Sequence, residues 1–174
     1  MMMKQTMIGL TLLLFTANSY AVQTCVNNIP NTTPDDRYTI DTDQGTVIDK
    51  LTKLMWQQCS VGQTQTGTAC NGNGNQFDWQ TALQAGPSSS VANYNDWRLP
   101  NRNELVSLIA WHCNSPSINA TVFPNTALNA FWSSSPYFRT PDSAWRVDFP
   151  TGGSGRYFRN YAQYYVRLVR NLTE

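Results

Sequence analysis

Residues 96–105 read DWRLPNRNEL and raise the question of why a tryptophan and an arginine stand side by side just before a predicted helix. Pro100 disfavours helical backbone at the residue before it, so the stretch is expected to be extended up to Leu99. Asn101 is a good N-cap, and Glu104 lies three residues later, where its carboxylate can accept the backbone N–H of Asn101. The stretch therefore predicts a strand-to-helix corner with a capping box.

Trp97 and Arg98 stand side by side in this corner, and two roles are open for them. In a structural role, Trp97 is buried on one side while the guanidinium of Arg98 faces the other side, towards backbone carbonyls or a carboxylate. The candidate carboxylates are Asp96, Glu104 and Asp148. In the second role the pair contacts a ligand. We favour the structural role, since the capping signals already make the stretch a corner.

Two helices are predicted on either side of the corner. The first lies in DWQTALQAG, residues 78–86, with Asp78 as its N-cap and apolar residues at helical spacing. The second lies in NRNELVSLIAWHC, residues 101–113. The residues expected to share one face of the second helix are Leu105, Leu108, Ile109 and His112.

The other apolar patterns alternate with a period of two and predict strands. Residues 37–58, RYTIDTDQGTVIDKLTKLMWQQ, predict a hairpin or meander around a DQG turn. The later segments FWSSSPYF, SAWRVDF, GRYFRN and QYYVRLVR predict three or four antiparallel strands. Residues 114–130 predict a loop that packs Ile118 and Phe123 inward. We therefore expect an α+β fold with an antiparallel sheet and two helices.

Residues 1–21, MMMKQTMIGLTLLLFTANSYA, have the features of a secretory signal, with a positive Lys4, an apolar run and small residues before Ala21. The apolar run is too short to span the roughly 30 Å hydrocarbon core of a bilayer. A lipid anchor at Cys25 is a lesser option, because small residues do not precede it. We expect an exported protein that is periplasmic, surface-bound or secreted.

Cleavage after the signal would leave 174 − 21 = 153 residues, enough for one domain. We expect residues 22–36, rich in Asn, Thr and Pro, to form an irregular arm, and residues 37–174 to form a single domain. Without Lys4 the chain has 12 − 1 = 11 Lys and Arg against 11 Asp and Glu. This balance provides no bulk charge for binding nucleic acid or a membrane.

All four cysteines follow the signal, and an even number in an exported chain predicts two disulfides. Four cysteines allow three pairings. Cys59 and Cys70 flank SVGQTQTGTA, a loop rich in Gly, Thr and Gln, and we expect them to pair. Cys25 would then join the N-terminal arm to Cys113. The alternative is a zinc site, but the CxxC-like spacings that such a site needs are absent.

An ordered set of motifs resembles the Lcl C-terminal domain family, named for the C-terminal domain of the Legionella collagen-like adhesin. The motifs are GTVIDKLTKLMWQ, DWRLPNRNEL, FWSSSPY, AWRVDF and YVRLVR, and they span about residues 45–170. The resemblance implies a secreted or surface protein. In the adhesin the domain is associated with binding of sulfated glycosaminoglycans, attachment and trimer formation.

The resemblance also implies a C-type lectin-like arrangement stapled by disulfides, in which the last strand, YVRLVR, returns beside the first. The chain has no Gly-X-Y collagen repeat. Trimer formation through a collagen stalk is therefore not carried over to it.

Patterns that would indicate catalysis or a metal are weak. His112 adjoins Cys113, but neighbouring helical residues point about 100° apart, and a disulfide would consume the thiol. The acids available for glycoside hydrolysis are Asp96, Glu104, Asp142 and Asp148, and none is marked as a proton donor beside a nucleophile. DTDQG, residues 41–45, is a fragment of a calcium loop that lacks the later ligands, so a hairpin turn is favoured. We expect no enzyme activity, cofactor or metal.

The strongest binding signal is an excess of arginine in the C-terminal part. The arginines are Arg139, Arg146, Arg156, Arg159, Arg167 and Arg170, and the acids are Asp142, Asp148 and Glu174. Interleaved aromatic rings can stack on sugars while guanidinium groups bind sulfate or carboxylate. The candidate ligand-binding residues are Arg156, Tyr157, Arg159 and Tyr161. An ordinary sheet with a solvated arginine face is the alternative.

We therefore predict an exported, non-enzymatic binding or adhesion module whose partners are anionic glycans or envelope proteins. The alternative is a structural or assembly subunit of a pilus or another envelope structure, in which the same sheet contacts protein. Exposed apolar surface would favour assembly, and a basic aromatic groove would favour glycan binding.

Overall fold

Short strands and two short helices form the part of the chain that this computed structural model describes, residues 22–172. The strands are β1 (Thr24–Cys25), β2 (Tyr38–Asp41), β3 (Thr46–Asp49), β4 (Leu54–Gln57), β5 (Thr64–Thr66), β6 (Ala69–Asn71), β7 (Cys113–Asn114), β8 (Ala130–Pro136), β9 (Ser143–Asp148), β10 (Ser154–Phe158) and β11 (Val169–Asn171). The helices are α1 (Trp79–Gln84) and α2 (Arg102–Val106), and 3-10 turns cover Asp35–Arg37 and Val91–Asn93.

The strands form a four-stranded sheet in the order β11-β4-β3-β2, a three-stranded sheet in the order β10-β9-β8, and two small pairs, β1-β7 and β5-β6. Every pairing between these strands is antiparallel. With two small helices, the fold has the predicted mixed α and β character. No helix among the described residues has the length and apolar character of a membrane span. The predicted signal, residues 1–21, lies outside the described residues.

The N-terminal part of the four-stranded sheet is the meander predicted from residues 37–58. Its DQG segment is a hairpin turn, in which Asp41 Oδ1 accepts the backbone N–H groups of Asp43 at 3.1 Å and Gln44 at 3.0 Å. Gly45 then takes a φ of +66°, which costs glycine little. The hairpin interpretation of this segment is therefore confirmed.

The last strand, β11, joins the N-terminal sheet beside β4, with Val169 opposite Trp56. The resemblance implied that it returns beside the first strand of the sheet, but its neighbour is the third strand of the meander. On its other edge Val169 exchanges two backbone hydrogen bonds with Arg98, at 2.9 and 3.0 Å. The strand therefore fills the space between β4 and the corner at residues 96–105.

Two hydrophobic clusters pack against the two faces of the three-stranded sheet. Phe131 and Val147 belong to one cluster, and Trp132 and Ala144 to the other. Consecutive residues alternate between faces of a strand, which explains why Phe131 and Trp132 separate. The first cluster also contains Leu105, Leu108, Ile109, Ile118, Phe123 and Phe149. Ile118 and Phe123 are fully buried, as the loop prediction required.

Both predicted helices are present, but the second ends early. Asp78 caps α1 by accepting the backbone N–H of Thr81 at 2.7 Å. The predicted helix over residues 101–113 is wrong beyond Val106, since Ala110 donates its N–H to the carbonyl of Ser117 at 3.1 Å instead of continuing the helix. His112 therefore lies neither on a helix face nor at a helix C-terminus.

The two disulfides join the predicted pairs, Cys25–Cys113 and Cys59–Cys70. The first holds β1 against β7, so the arm predicted as irregular contains a short strand. The second closes the hairpin of β5 and β6. Both bonds therefore fasten segments that have little core of their own.

Two arginines of the predicted basic surface are buried instead. Arg167 is fully buried and donates to the carbonyl of Gln57 at 3.1 Å and to Thr126 Oγ1 at 2.9 Å. Burial lowers the pKa of Arg167 to about 9, which leaves it charged at neutral pH. Arg170 is 4% exposed and donates to Asp96 at 2.7 Å. Neither side chain can contribute to an arginine face.

Candidate functional site

The four predicted ligand-binding residues lie on the outer strand of the three-stranded sheet and in the turn after it. Arg156 and Tyr157 are in β10, and Arg159 and Tyr161 follow it. Tyr157 is 43% exposed and Tyr161 is 85% exposed. The four side chains do not form one surface, because neighbouring residues of a strand point to opposite faces.

Arg156 lies on one face of the sheet among aromatic rings. It is paired across the strands with Trp145, and its guanidinium carbon is 5.5 Å from the ring centre of Tyr137. Phe158, two residues along the same face, has its ring centre 6.0 Å from this carbon. The ring of Tyr161 meets that of Phe158 edge-on at 6.0 Å. We call Tyr137, Trp145, Arg156, Phe158 and Tyr161 the arginine–aromatic patch.

Tyr157 lies on the opposite face. Its strand partner is Ala144, and its ring centre is 5.8 Å from that of Tyr164. Tyr164 in turn packs edge-on against the buried Trp132 at 4.8 Å. Tyr157 therefore covers the second hydrophobic cluster and is separate from the patch.

Arg159 has structural contacts that account for its position. Its guanidinium carbon is 4.0 Å from the ring centre of Trp79, the first residue of α1. Its Nε donates to the carbonyl of Ser143 at 3.2 Å. The side chain thus joins α1 to the three-stranded sheet, and half of the predicted quartet lies outside the patch.

Arg102, which was not among the predicted residues, reaches the patch from α2. The guanidinium carbon of Arg102 is 4.4 Å from the ring centre of Trp145, and its Nη2 donates to Ser154 Oγ at 2.9 Å. Tyr137, Trp145 and Phe158 were also missed. The even spacing of Ser154, Arg156 and Phe158 in β10 could have predicted that they share one face. The strand register that places Trp145 beside Arg156 cannot be predicted from this spacing.

Among residues 22–172, the arginines around the patch have no carboxylate partner. The ion pairs of the described residues are Arg37–Asp49, Arg98–Glu104, Arg146–Asp148 and Arg170–Asp96. Within residues 22–172, Arg102, Arg139 and Arg156 therefore form none. Arg139 lies 5.4 Å from the ring of Phe138, which is 80% exposed. Their N–H groups are available to an anionic partner beside exposed rings.

The corner at residues 96–105 is held by its own charged groups. Glu104 accepts Arg98 through both carboxylate oxygens at 2.8 Å, and accepts the backbone N–H of Asn101 at 2.7 Å. Asn101 Oδ1 accepts the backbone N–H of Glu104 at 2.9 Å, which completes the predicted capping box. Burial raises the pKa of Glu104, but the hydrogen bonds from Arg98 and Asn101 outweigh it and hold the pKa below its usual value.

Trp97 forms the buried side of the same corner. It is 2% exposed, and its Nε1 donates to the carbonyl of Val91 at 2.9 Å. Gly86 packs directly against its backbone, because a Cβ at Gly86 would lie 2.4 Å from the carbonyl oxygen of Trp97. These contacts hold Trp97 and Arg98 in the corner, and the structural role favoured from the sequence stays a prediction.

The model of the Lcl C-terminal domain matches residues 45–170, which include both the corner and the arginine–aromatic patch. The chain belongs to the Lcl C-terminal domain family. No curated protein matches the chain.

In this Lcl C-terminal domain, His112 lies beside a disulfide. One of its ring nitrogens and the sulfurs of Cys25 and Cys113 lie within 4.8 Å of one another. Because the two sulfurs are bonded to each other, neither is a thiolate that can attack a substrate or ligate a metal. The cluster is therefore a disulfide with an imidazole against it.

Three of the four candidate acids in the domain are engaged by arginines: Asp96, Glu104 and Asp148. The hydrogen bond from Arg170 holds the pKa of Asp96 below its usual value. A carboxyl group with a lowered pKa is ionised at neutral pH and is a poor proton donor. These contacts stabilise the fold, and the lowered pKa values of Asp96 and Glu104 make those two carboxyl groups poor proton donors.

The arginine–aromatic patch is an open surface of the domain. Two cavities, of about 610 and 600 Å³, are lined by other residues. A ligand at the patch would therefore lie along the sheet instead of entering a closed pocket.

Proposed function

We propose that this Lcl C-terminal domain is a non-enzymatic binding module of an exported or surface protein, and that it binds anionic glycans through the arginine–aromatic patch. The observation that carries the proposal is Arg156, an exposed cation without an ion-pair partner in residues 22–172 and set between the rings of Tyr137 and Phe158. Family membership supports the surface location.

The chemistry of the patch suits a sulfated or carboxylated sugar. A guanidinium can form two parallel hydrogen bonds to a sulfate or carboxylate, and an aromatic ring can pack against the apolar face of a pyranose. Arg102 on Trp145 adds a second cation to the same face as Arg156. An open surface accommodates a polymer that extends past the protein in both directions.

The first test is a glycan array that includes sulfated glycosaminoglycans, probed with the purified protein at low and high salt. Attraction between exposed charges is screened over roughly 8 to 10 Å at physiological ionic strength. We expect binding to sulfated glycans that weakens as the salt concentration rises. Absence of binding to every anionic glycan would contradict the proposal.

The second test compares neighbouring aromatic residues on opposite faces of β10. Tyr157 and Phe158 are each 43% exposed, so their substitutions remove similar exposed surface. We expect Phe158→Ala to weaken glycan binding by roughly tenfold, the loss of one stacking contact, while Tyr157→Ala leaves it unchanged. Equal effects of the two substitutions would show that the patch has been assigned to the wrong face.

A matched pair of charge variants completes this test. Arg156→Ala and Lys50→Ala each remove one exposed cation, but Lys50 lies in the turn between β3 and β4. We expect the Arg156 variant to bind roughly tenfold more weakly and the Lys50 variant to bind like the wild type. A similar loss in both variants would indicate attraction by net charge alone.

A structural or assembly role is the second candidate. Phe138 and Tyr161 are 80% and 85% exposed and lie at the same end of the sheet as the patch. Exposed rings of this size are typical of protein contacts. Sedimentation of the purified protein over a range of concentrations tests self-association. If Phe138→Ala abolishes assembly and no glycan binds, this second function replaces the first.

We further propose a C-type lectin-like arrangement for the domain. The return of β11 to the N-terminal sheet and the two disulfides support it. An experimental structure superposed on C-type lectin domains tests the proposal, and a different order of elements around the two sheets would count against it.

A further inference from the structure

A cleft of about 610 Å³ lies between the N-terminal sheet, the disulfide-closed hairpin and α1. Its lining comes from the turn at residues 44–45, from residues 57–65, from residues 75–92 and from Leu168. None of the five patch residues lines it. The cleft is therefore a second site, independent of the proposed glycan-binding surface.

The lining of the cleft includes many polar side chains but, among the described residues, no ionisable group, since it contains no Asp, Glu, Lys, Arg or His. Its carboxamide side chains are Gln44, Gln57, Gln63, Gln65, Asn75 and Gln84. Its hydroxyl side chains are Ser60, Thr81, Ser88 and Ser89. A charged ligand would lose its hydration here without meeting an opposite charge, so the lining selects an uncharged ligand.

Some of these carboxamides hold the walls together. Gln63 Oε1 accepts the backbone N–H of Ser60 at 2.9 Å, and its Nε2 donates to the carbonyl of Asn125 at 3.0 Å. Gln57 Nε2 donates to Ser89 Oγ at 2.7 Å, which links β4 to the segment after α1. The walls are therefore fastened to each other without a ligand.

Other carboxamides are available to a ligand. Within residues 22–172 the side chains of Gln44, Asn75 and Gln84 make no hydrogen bond, and all three are exposed at the rim. Each offers a donor and an acceptor, the combination that pairs with a sugar hydroxyl or an acetamido group. Together they place such groups on different walls of one cleft.

Gly62 brings one of these side chains into position. Its φ is +94°, and a Cβ at this residue would lie 2.5 Å from Asn75 Cγ. Only a residue without a side chain allows this backbone conformation and this close approach together. Asn75 is therefore packed directly against the loop that follows the disulfide residue Cys59.

Apolar side chains also line the cleft, among them Val61, Phe77 and Leu168. A pyranose has the complementary character, because its C–H face is apolar and its edges carry hydroxyl groups. An extended peptide fits less well, since it would need free backbone groups. Here Val61 N–H donates to the carbonyl of Val166 at 2.9 Å, and Asn75 N–H donates to that of Val61 at 2.7 Å.

We infer that this cleft binds a short neutral saccharide through Gln44, Asn75 and Gln84, beside apolar lining residues such as Val61 and Phe77. The test uses protein expressed from the full chain under oxidising conditions, so that the Cys59–Cys70 bond forms. The probes are neutral mono- to tetrasaccharides of hexoses and N-acetylhexosamines on an array, followed by ligand-observed NMR titration of those that bind.

We expect binding that does not change with salt, because no charge is involved. Asn75→Ala with Gln84→Ala should weaken binding about tenfold, since each substitution removes the hydrogen bonds of one carboxamide. Gln80→Ala is the matched control, because Gln80 is exposed on α1 but does not line the cleft. The Arg156→Ala variant should bind the neutral sugar like the wild type.

Three results would overturn the inference. They are no binding to any neutral saccharide, binding that survives the loss of Asn75 and Gln84, and preferential binding of uncharged decapeptides that displace the sugar. Far-ultraviolet circular dichroism of each variant checks that the fold is retained. Failure here leaves the salt-sensitive binding at the arginine–aromatic patch untouched, so the two sites are tested separately.

Discussion

Arg156 and Arg167 lie in the same C-terminal segment but occupy opposite environments. Arg156 is exposed on the outer strand, whereas Arg167 is fully buried between Val166 and Leu168, which are buried as well. Alternation along YVRLVR gave no warning of this, because Val166, Arg167 and Leu168 precede β11 and are buried in succession. Phe123, in the segment between β7 and β8, packs against Arg167. Its ring centre is 4.8 Å from the Arg167 guanidinium carbon.

Replacing Arg167 with alanine should destabilise the protein strongly. The substitution leaves the carbonyl of Gln57 and the hydroxyl of Thr126 without their donor, and a buried polar group without a partner costs about 1–3 kcal/mol. We expect Arg167→Ala to lower the free energy of unfolding by about 3 kcal/mol or more, measured by urea denaturation. The exposed Arg139→Ala is the control and should change it by less than about 0.5 kcal/mol. Similar values for both variants would contradict the assigned role.

Capping residues near in sequence predict where each helix begins, whereas contacts with distant residues determine where α2 ends. Asp78 and the Asn101–Glu104 capping box begin α1 and α2 as predicted, because a cap needs only residues within one turn. The helix predicted over residues 101–113 stopped at Val106, because Ile109 forms a backbone bridge with Ile118. The spacing of apolar residues in the predicted helix does not indicate that Ile109 pairs with Ile118.

The two disulfides close loops of very different length. Cys25–Cys113 joins residues 88 apart, and Cys59–Cys70 joins residues 11 apart. Loop-closure entropy in the unfolded chain assigns them roughly 4.5 and roughly 3 kcal/mol of stabilisation. We therefore expect the Cys25→Ser, Cys113→Ser variant to have a lower free energy of unfolding than the Cys59→Ser, Cys70→Ser variant, measured by chemical denaturation. The reverse order would show that native contacts of the hairpin outweigh chain entropy.

For the whole molecule, ion pairs make the free energy of unfolding depend on pH in the acid range. Burial raises the pKa of Asp49, but hydrogen bonds from Arg37 and Thr52 outweigh it and hold the pKa below its ordinary 3.8. Glu104, paired with Arg98, is likewise held below 4.5. A carboxyl group whose pKa is lower in the folded state adds stability above its unfolded pKa and loses it as the pH falls through the folded value.

We therefore expect the free energy of unfolding to fall as the pH drops below about 4.5, measured by urea denaturation at a series of pH values. Glu104→Gln keeps a side chain that can cap α2 but has no charge for Arg98. The decrease in this variant should be shallower than in the wild type. A curve parallel to that of the wild type would mean that the Arg98–Glu104 pair contributes nothing to the pH dependence.

Several features of this protein depend only on near neighbours along the chain and could be predicted from them. These are the caps at Asp78 and Asn101, the meander over residues 37–58, the even set of cysteines and the ordered motifs of the family. Each follows from local hydrogen bonding, from alternation along one strand or from composition, and none needs knowledge of a distant partner.

The three-dimensional structure was needed to show which side chains share a surface. It separated Tyr157 from Arg156, brought Arg102 and Trp145 to the patch, and buried Arg167 in the core. It also assembled the neutral cleft from segments far apart in sequence. The physical reason is that strand register, the turn of the chain after α2 and the packing of the two clusters are set by contacts between distant residues, which alternation within a single strand does not specify.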